Sequence, residues 1–180
     1  MPTVDGGGRY ICAMSMVIRA GLSDDVPVVA RIWSDGWRDG HLGHVSEGLV
    51  AVRTPESFTE RTELAVRDTT VITVDGSVAG FTMVIADEVE QFYVAEEHRG
   101  TKVADTLLTE AERLVAAQRH HVAWLAVVPG NTRARRFYER NDWTDQGRFV
   151  YCADALSGRI PVTAHRYTKQ LVTEEPTAQR

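Results

Sequence analysis

This chain has few cysteines, no long apolar run and no excess of positive charge. Its 180 residues include two cysteines, Cys12 and Cys152, which are too few and too far apart for a disulfide framework or a thiolate zinc site. The longest clean apolar run, residues 122–128, has 7 residues, whereas a helix that crosses a bilayer needs about 20. Acidic residues outnumber basic ones by 25 to 20. We therefore expect a cytoplasmic protein with neither a membrane nor a nucleic acid as partner, and the acidic balance suits a cationic small molecule.

The chain carries no internal repeat and no proline- or serine-rich linker, and its length is that of one domain. Residues 1–10 include three consecutive glycines but no cationic segment followed by an apolar core, so they do not resemble a signal peptide. We predict a flexible N-terminal tail at residues 1–15, a single domain at residues 16–170 and a C-terminal tail at residues 171–180.

The first third of the domain reads as a strand followed by helices. A short strand at residues 16–19 precedes a helix for which Ser23 is the predicted N-cap. Its apolar stripe consists of Val26, Val29, Ile32, Trp33 and Trp37. Gly36 and Gly40 are expected to loosen this helix. A second helix is predicted from the N-cap Thr54 to about residue 66, with a loop containing His41 and His44 between the two.

From Thr70 the hydrophobic period shortens to that of strands. Residues 71–74 and 78–85 flank Asp75-Gly76, the strongest hairpin signal in the chain. A strand at 88–94, a helix at 101–119, a strand at 121–128, a short helix at 132–140 and two closing strands at 143–151 and 162–168 follow. Strands first and alternating helices afterwards predict a mixed sheet in an α/β protein of the α+β type.

Two junctions between a strand and a helix carry recognisable motifs. The first, His98-Arg99-Gly100-Thr101-Lys102-Val103-Ala104, opens a helix whose free backbone amides would suit a phosphate, although this fragment taken alone favours an ordinary turn with Arg99 solvated. The second is Asn131-Thr132-Arg133-Ala134-Arg135-Arg136-Phe137-Tyr138-Glu139. Taken alone, Asn131 is most simply a helix cap, and Tyr138 an aromatic residue packed on the sheet.

Together, in order and spacing, these motifs resemble the GNAT superfamily of acyl-CoA-dependent N-acyltransferases. The resemblance is specific over residues 71–143 and looser over residues 18–33. It implies a mixed, mostly antiparallel central sheet with helices on both faces, acetyl-CoA as cosubstrate, no metal, and a homodimer as in many relatives. It also implies that these residues bind the coenzyme: Phe92, Tyr93, Val94, His98, Arg99, Gly100, Thr101, Lys102, Val103, Ala104, Asn131, Arg133, Ala134 and Phe137.

Two positions depart from the family pattern. Lys102 stands where the family has a glycine that lets the backbone approach phosphate, so its side chain either hinders the coenzyme or replaces the lost contact with an ammonium charge. Asp142 stands where a glycine usually precedes the aromatic residue that follows the second motif. Since Asp tolerates the left-handed conformation, this change should affect only stability.

The catalytic roles follow from the chemistry of acyl transfer and from the resemblance. The resemblance assigns Tyr138 as the general acid that protonates the departing thiolate, and backbone amides near Val94 as donors to the thioester oxygen. Glu88 and Glu90, on one face of a strand, are candidate bases for the amine, with Glu90 slightly preferred because it lies nearer the expected thioester. The alternative interpretation is a solvated strand face, because an ordinary Glu is a weak base.

The acceptor side is less clearly marked. In this family the region between the first two helices borders the acceptor site, so Trp33, Trp37, His41 and His44 are candidates to shape the acceptor pocket, and the tryptophans are equally explained as core residues. His41, His44 and Glu47 are spaced like metal ligands, but neighbouring glycines interrupt the helix that they would need. Residues 35–54 and 151–161 are predicted loops that select the acceptor.

The sequence therefore favours an acetyl-CoA-dependent N-acetyltransferase that acts on the primary amine of a small molecule. Two alternatives stay open. One is a non-catalytic acyl-CoA-binding regulatory domain, suggested by Lys102 and the uncertain base. The other is an acetyltransferase acting on a protein N-terminus, a lysine or a charged tRNA, of which the tRNA is disfavoured by the acidic balance.

Overall fold

The computed structural model describes residues 15–155 and 158–171. The predicted tails, and Cys12 with them, lie outside the described residues except for Ser15 and Leu171. These described residues form five α-helices: α1 (Val26–His41), α2 (Glu47–Val52), α3 (Pro55–Ala65), α4 (Lys102–Ala117) and α5 (Thr132–Arg140). Seven strands accompany them: β1 (Met16–Ala20), β2 (Thr69–Val74), β3 (Ser77–Ile85), β4 (Glu88–Val94), β5 (Val122–Val127), β6 (Thr144–Ala155) and β7 (Gly158–Gln170).

The strands form one sheet in the order β1-β2-β3-β4-β5-β7-β6. Strands β4 and β5 run parallel, and the other neighbouring pairs are antiparallel. On one face, Val71 and Phe81 pack with residues of α1 and α3, whereas Ile72 and Ala79 pack on the other face with Leu107 of α4. The predicted mixed, mostly antiparallel sheet with helices on both faces is therefore confirmed.

The β2–β3 hairpin forms where its turn signal predicts. Asp75 and Gly76 both have positive φ, 49° and 85°. Two positive φ angles define a type I′ turn, whose twist matches that of the flanking strands. Glycine and Asp are among the few residues that tolerate this conformation, so the local sequence alone specifies the turn.

Helix α1 differs from its prediction in two respects. Ser23 does not cap it but begins a short 3-10 turn, Ser23–Asp25. The carboxylate of Asp25 determines this start, because it accepts hydrogen bonds from the backbone of Leu22 (2.8 Å) and from Arg19 (2.6 and 2.9 Å). The predicted loosening at Gly36 and Gly40 is also wrong, since α1 continues to His41.

Both predicted acceptor loops contain regular structure. Residues 47–52 form α2, which is capped by the hydroxyl of Ser46, an acceptor for the backbone N–H of Leu49. Strands β6 and β7 extend through residues 151–155 and 158–161, and their pairing reaches Ala155 opposite Gly158. The second region is therefore a long two-stranded arm, because its backbone groups continue the ladder begun at Thr144.

Strand β4 is irregular and leaves its parallel neighbour early. Gln91 lies opposite Met83 and Val89 opposite Val84, so Glu90 is an extra residue in a β-bulge. Within the described strands, the register of β4 with β5 consists of Glu88 opposite Trp124. Beyond this pair the two parallel strands diverge, and a cleft opens between them.

Candidate functional site

The first cavity, which we call the helix-end cavity, lies between the N-termini of α4 and α5 and has a volume of about 410 Å³. This volume is within the range of small-molecule and cofactor sites. The lining residues come from α1, the end of β4, the turn before α4, the first turn of α4, and α5 with its N-cap. They are Gly36, Phe92, Tyr93, Val94, Arg99, Gly100, Thr101, Ala104, Asp105, Asn131, Arg133, Ala134, Phe137, Tyr138 and Arg140.

The turn before α4 has a conformation that exposes backbone amides. Gly100 has a φ of 73°, in the left-handed region that favours glycine. Thr101 then caps α4: its hydroxyl donates to the carbonyl of His98 (2.6 Å) and accepts from the N–H of Val103 (3.3 Å). The other amides of the first turn of α4 have no intrahelical acceptor, so this helix end suits an anion.

The second helix end is built in the same way. The side chain of Asn131 accepts from the N–H of Ala134 (3.1 Å) and caps α5. A Cβ atom placed on Gly40 would come within 2.6 Å of the Asn131 amide nitrogen. A glycine at this point of α1 therefore lets the helix approach the cap closely, and its role is contact rather than flexibility.

Three arginines give the helix-end cavity positive charge: Arg99, Arg133 and Arg140. Arg99 and Arg133 both pair with the carboxylate of Asp39 in α1, at 2.9 and 2.6 Å. The pKa of Asp39 is lowered, chiefly by the hydrogen bond from Arg133, so the carboxylate stays ionised at neutral pH. Asp39 thus holds two cationic side chains, one from the turn before α4 and one from α5, against the same helix.

Eleven of the fourteen residues predicted to bind the coenzyme line this cavity. The other three are His98, Lys102 and Val103. Val103 is fully buried in the core beside Leu107. The side chain of Lys102 is exposed and lies outside the lining.

The second cavity, which we call the sheet cavity, lies against β4, β5 and the β6–β7 arm and has a volume of about 140 Å³. Helices α1, α2 and α3 supply the opposite wall. Five residues line both cavities: Phe92, Tyr93, Asn131, Ala134 and Tyr138. The two spaces therefore meet at the end of β4, where β4 and β5 diverge.

Tyr138 lies at this junction and is buried, with 7% of its surface exposed. Its ring packs edge-on against Phe92 and near Trp143. Burial is the main reason that the pKa of Tyr138 is raised above its usual range. The phenol therefore keeps its proton at neutral pH and is a potential donor to a group that develops negative charge.

Glu88 and Glu90 both line the sheet cavity, as their predicted common face requires. Burial raises the pKa of both carboxyls, and that of Glu88 to about 7. A hydrogen bond from the Tyr151 hydroxyl opposes part of this shift at Glu88. A carboxyl with a pKa near 7 is matched to proton transfer at physiological pH.

Trp33, Trp37 and His41 line the sheet cavity as well. The tryptophans are core residues, and their role at the acceptor stays a prediction. The ring of His41 stacks on Trp37 at 4.9 Å, and its Nδ1 lies 2.9 Å from the carbonyl oxygen of Trp37. Burial lowers the pKa of His41 to about 4. A neutral ring that donates from Nδ1 leaves Nε2 as an acceptor. His44 is exposed and does not line either cavity.

Five polar residues of the sheet cavity are not singled out by the sequence-based prediction, although three of them fall within the two predicted acceptor loops: Arg53, Arg61, Gln91, Tyr151 and Asp154. Arg53 follows α2, Arg61 lies in α3, and Tyr151 belongs to the arm. No motif marks them, because the sheet brings them together from distant parts of the chain. Gly36, which lines the helix-end cavity, could have been identified from the sequence, since a glycine inside an amphipathic helix often marks a place where another group packs closely against the helix.

Two further features concern the described residues only. Among residues 15–155 and 158–171 no group of three His, Cys, Asp or Glu side chains is placed to hold a metal ion. No helix in this part of the chain has the length and apolar character to cross a membrane.

Comparison with known proteins relates this chain to a protein family and to solved structures. The sequence profile of the Acetyltransferase (GNAT) family matches residues 33–143. No curated protein sequence matches the chain significantly. PaiA N-acetyltransferase from Thermoplasma acidophilum, solved in complex with coenzyme A, superposes with a TM-score of 0.65 at 21% identity, over 87% of this chain and 99% of that one.

Two other solved structures share the fold at similar distance. YncA, a putative acetyltransferase from Salmonella typhimurium solved with acetyl-CoA, gives a TM-score of 0.60 at 17% identity, over 92% of this chain and 99% of that one. Ribosomal-protein-alanine N-acetyltransferase from Brucella melitensis gives 0.63 at 22% identity, over 86% and 99%. Since the family profile covers more than half of its length and the fold agrees, this chain belongs to the Acetyltransferase (GNAT) family.

Proposed function

We propose that this protein is an acetyl-CoA-dependent N-acetyltransferase that acetylates the primary amine of a small molecule by direct attack on the thioester. The observation that carries the proposal is the junction of the two cavities at Tyr138. At this tyrosine the cationic helix-end cavity meets the smaller sheet cavity, which contains two carboxyls with raised pKa values.

The helix-end cavity fits the coenzyme in charge and in size. A diphosphate needs backbone amides and cations, and the turn before α4 offers both beside Arg99. Asn131, Arg133 and Phe137 line the opposite side. Two of the structural neighbours were solved with coenzyme A or acetyl-CoA, which supports the same assignment. Bound acetyl-CoA supplies a thioester whose carbonyl carbon accepts an amine.

Tyr138 is the proposed general acid. It holds its proton at neutral pH because burial raises its pKa, and it lines both cavities. Donation of that proton to the departing sulfur prevents a free thiolate from leaving. The backbone near Val94, on the strand that diverges from β5, is the proposed donor to the thioester oxygen.

Glu88 and Glu90 are the proposed acceptors of the amine proton. The sequence-based preference for Glu90 rests on its position nearer the thioester. The pKa of about 7 at Glu88 favours Glu88 instead, because a base works best when its pKa lies near the working pH. The pH profiles of the two single variants decide between them.

The size of the sheet cavity supports a small acceptor. Its volume of about 140 Å³ is below that of typical drug-sized sites, and helices α1 to α3 face the β6–β7 arm across it. A protein amine is the second candidate, since one structural neighbour is named a ribosomal-protein-alanine N-acetyltransferase. At 22% identity that neighbour shares the fold alone.

The test measures coenzyme A release over a panel of small amines and peptides, with Tyr138→Phe and a matched control, Tyr167→Phe. Tyr167 is also fully buried, but its hydroxyl donates to Glu139 (2.9 Å), outside both cavities. We expect turnover with small amines, a loss of roughly 10² to 10⁴ in Tyr138→Phe, and near wild-type turnover in Tyr167→Phe.

Other results would direct the assignment elsewhere. Calorimetric binding of acetyl-CoA without turnover on any amine would favour the non-catalytic binding domain. Turnover on peptides alone would favour a protein acceptor. Wild-type turnover in Tyr138→Phe would remove this tyrosine from the role of acid.

A further inference from the structure

The wall of the sheet cavity contains a buried cation with unused hydrogen-bond donors. Arg53 is 6% exposed. Its Nη2 donates to the backbone carbonyl of Asp154 in the β6–β7 arm at 2.6 Å, whereas Nε and Nη1 are buried and have no partner. Buried guanidinium nitrogens normally have acceptors, since an unsatisfied buried donor costs free energy. Both nitrogens are therefore available to an acceptor that enters the cavity.

A second guanidinium lines the same cavity. The Cζ atom of Arg61 in α3 lies 4.3 Å from the ring centroid of Trp33, so the tryptophan face supports the cation. Arg53 and Arg61 each lack an ion pair with any carboxylate in the described part of the chain. Burial, and then repulsion from Arg61, lowers the pKa of Arg53 to about 10, and both arginines remain charged at neutral pH.

Carboxylates lie near these cations without pairing with them. Glu90 and Asp154 favour the charged form of both arginines through longer-range attraction. Glu88 lines the same cavity, hydrogen-bonded to Tyr151. The cavity therefore carries cations and anions together, although the chain as a whole is acidic. A ligand complementary to it has charges of both signs at short separation.

We propose that the acceptor is a small amino acid, in which Arg53 and Arg61 bind the carboxylate while the amine faces Glu88 and Glu90. This inference rests on the proposed function, because it names the class of amine for the same site. A carboxylate fits better than a phosphate, since a dianion would meet the buried carboxyls of Glu88 and Glu90 in a small cavity at higher cost. A neutral or purely cationic amine leaves the buried donors of Arg53 unused.

The test compares each amino acid of a panel of α-, β- and γ-amino acids with its own carboxamide. The carboxamide keeps the amine and the shape but removes the negative charge. It also makes the neighbouring amine less basic, so intrinsic reactivity at neutral pH favours the amide, opposite to the selectivity expected of the protein. Binding is measured by calorimetry in the dead-end complex with coenzyme A, which has no acyl group to transfer, and turnover is measured separately with acetyl-CoA.

We expect the best amino acid of the panel to bind about 10- to 100-fold more tightly than its carboxamide, the effect of hydrogen bonds to a charged group. Arg61→Gln should reduce this ratio at least about threefold. Arg113→Gln should leave it unchanged, because Arg113 pairs with Glu110 on the exposed side of α4. Arg53→Gln should also reduce the ratio, and an unchanged affinity for coenzyme A shows that each variant folds.

The outcomes separate this inference from the proposed function. Selective binding of the amino acid in the dead-end complex without turnover supports the carboxylate site and contradicts the acetyltransferase. Turnover of amines with no preference for the carboxylate supports the acetyltransferase and overturns the carboxylate site. Equal or absent binding of amino acids and amides across the panel, or a ratio unaffected by both Arg53→Gln and Arg61→Gln, also overturns it.

Discussion

Gly36 allows α1 to pack closely against Tyr93, and a substitution at this position tests that contact. A Cβ atom at this position would lie 2.5 Å from Cδ1 of Tyr93 and 3.2 Å from its Cε1. Carbon atoms in contact prefer about 3.5 to 4.0 Å, so the ring or the helix must move by about 1 Å. The ring stacks on the fully buried Phe81 at 5.7 Å, which limits its movement.

The expected magnitude follows from two opposing contributions in Gly36→Ala. Alanine gains up to about 1 kcal/mol of helix propensity over glycine, while overpacking of this kind costs about 1 to 3 kcal/mol. Gly48→Ala in α2 is the matched control, since a Cβ there has no neighbour within 4 Å. It retains the gain in propensity without the clash. The two variants should therefore differ by about 1 to 3 kcal/mol in the free energy of unfolding.

The assay is thermal unfolding of the two variants beside the wild type. At about 2 to 4 °C per kcal/mol for a domain of this size, Gly48→Ala should melt roughly 2 to 12 °C above Gly36→Ala. Because Tyr93 lines both cavities, Gly36→Ala should also weaken coenzyme A binding in calorimetry. Equal melting temperatures with unchanged binding would refute the idea that Gly36 is a contact glycine.

Three further predictions concern the base, the core and the turn. If Glu88 is the base, kcat/KM should fall about tenfold per pH unit below pH 7. Glu88→Gln should lower activity and abolish this acidic limb of the pH profile. Persistence of the limb in the variant would exclude Glu88 as the base. The native state also binds the extra Glu88 proton between pH 4.5 and about 7, so stability falls as pH rises through this window, and chemical denaturation of Glu88→Gln should show a smaller fall. Leu107→Ala, at a fully buried site, should lower the free energy of unfolding, measured in urea, by about 2 to 5 kcal/mol. Leu64 is 76% exposed, so Leu64→Ala should change it by less than about 0.5 kcal/mol. Similar losses in the two variants would contradict the packing described. Gly100→Ala should cost about 1 to 2 kcal/mol at its positive φ and weaken coenzyme A binding, and full affinity would show that the left-handed turn is not required.

Local signals in the sequence determined most of the elements. Asp75-Gly76 specified its hairpin, Thr54-Pro55 began α3, and the apolar spacing of residues 103–115 identified α4. These features succeed because a turn, a cap or an amphipathic stripe depends on neighbours within a few residues. The two motifs beginning near His98 and Asn131 likewise marked the helix-end cavity, since each is a continuous segment.

Only the tertiary structure determined which residues line the sheet cavity and how far strands β6 and β7 extend beside it. Residues 151–161 read as a loop, yet pairing across the arm makes strands of residues 151–155 and 158–161, because a ladder hydrogen bond depends on a partner that the local pattern does not reveal. Arg53 binds the carbonyl of Asp154, 101 positions away in the sequence. The raised pKa of Glu88 comes from burial beneath helices and strands that no single segment encodes. The sequence by itself therefore determined the helices, the strands and the two motifs. The packed structure determined which side chains meet in the sheet cavity, because the charge and burial around a side chain depend on the whole fold.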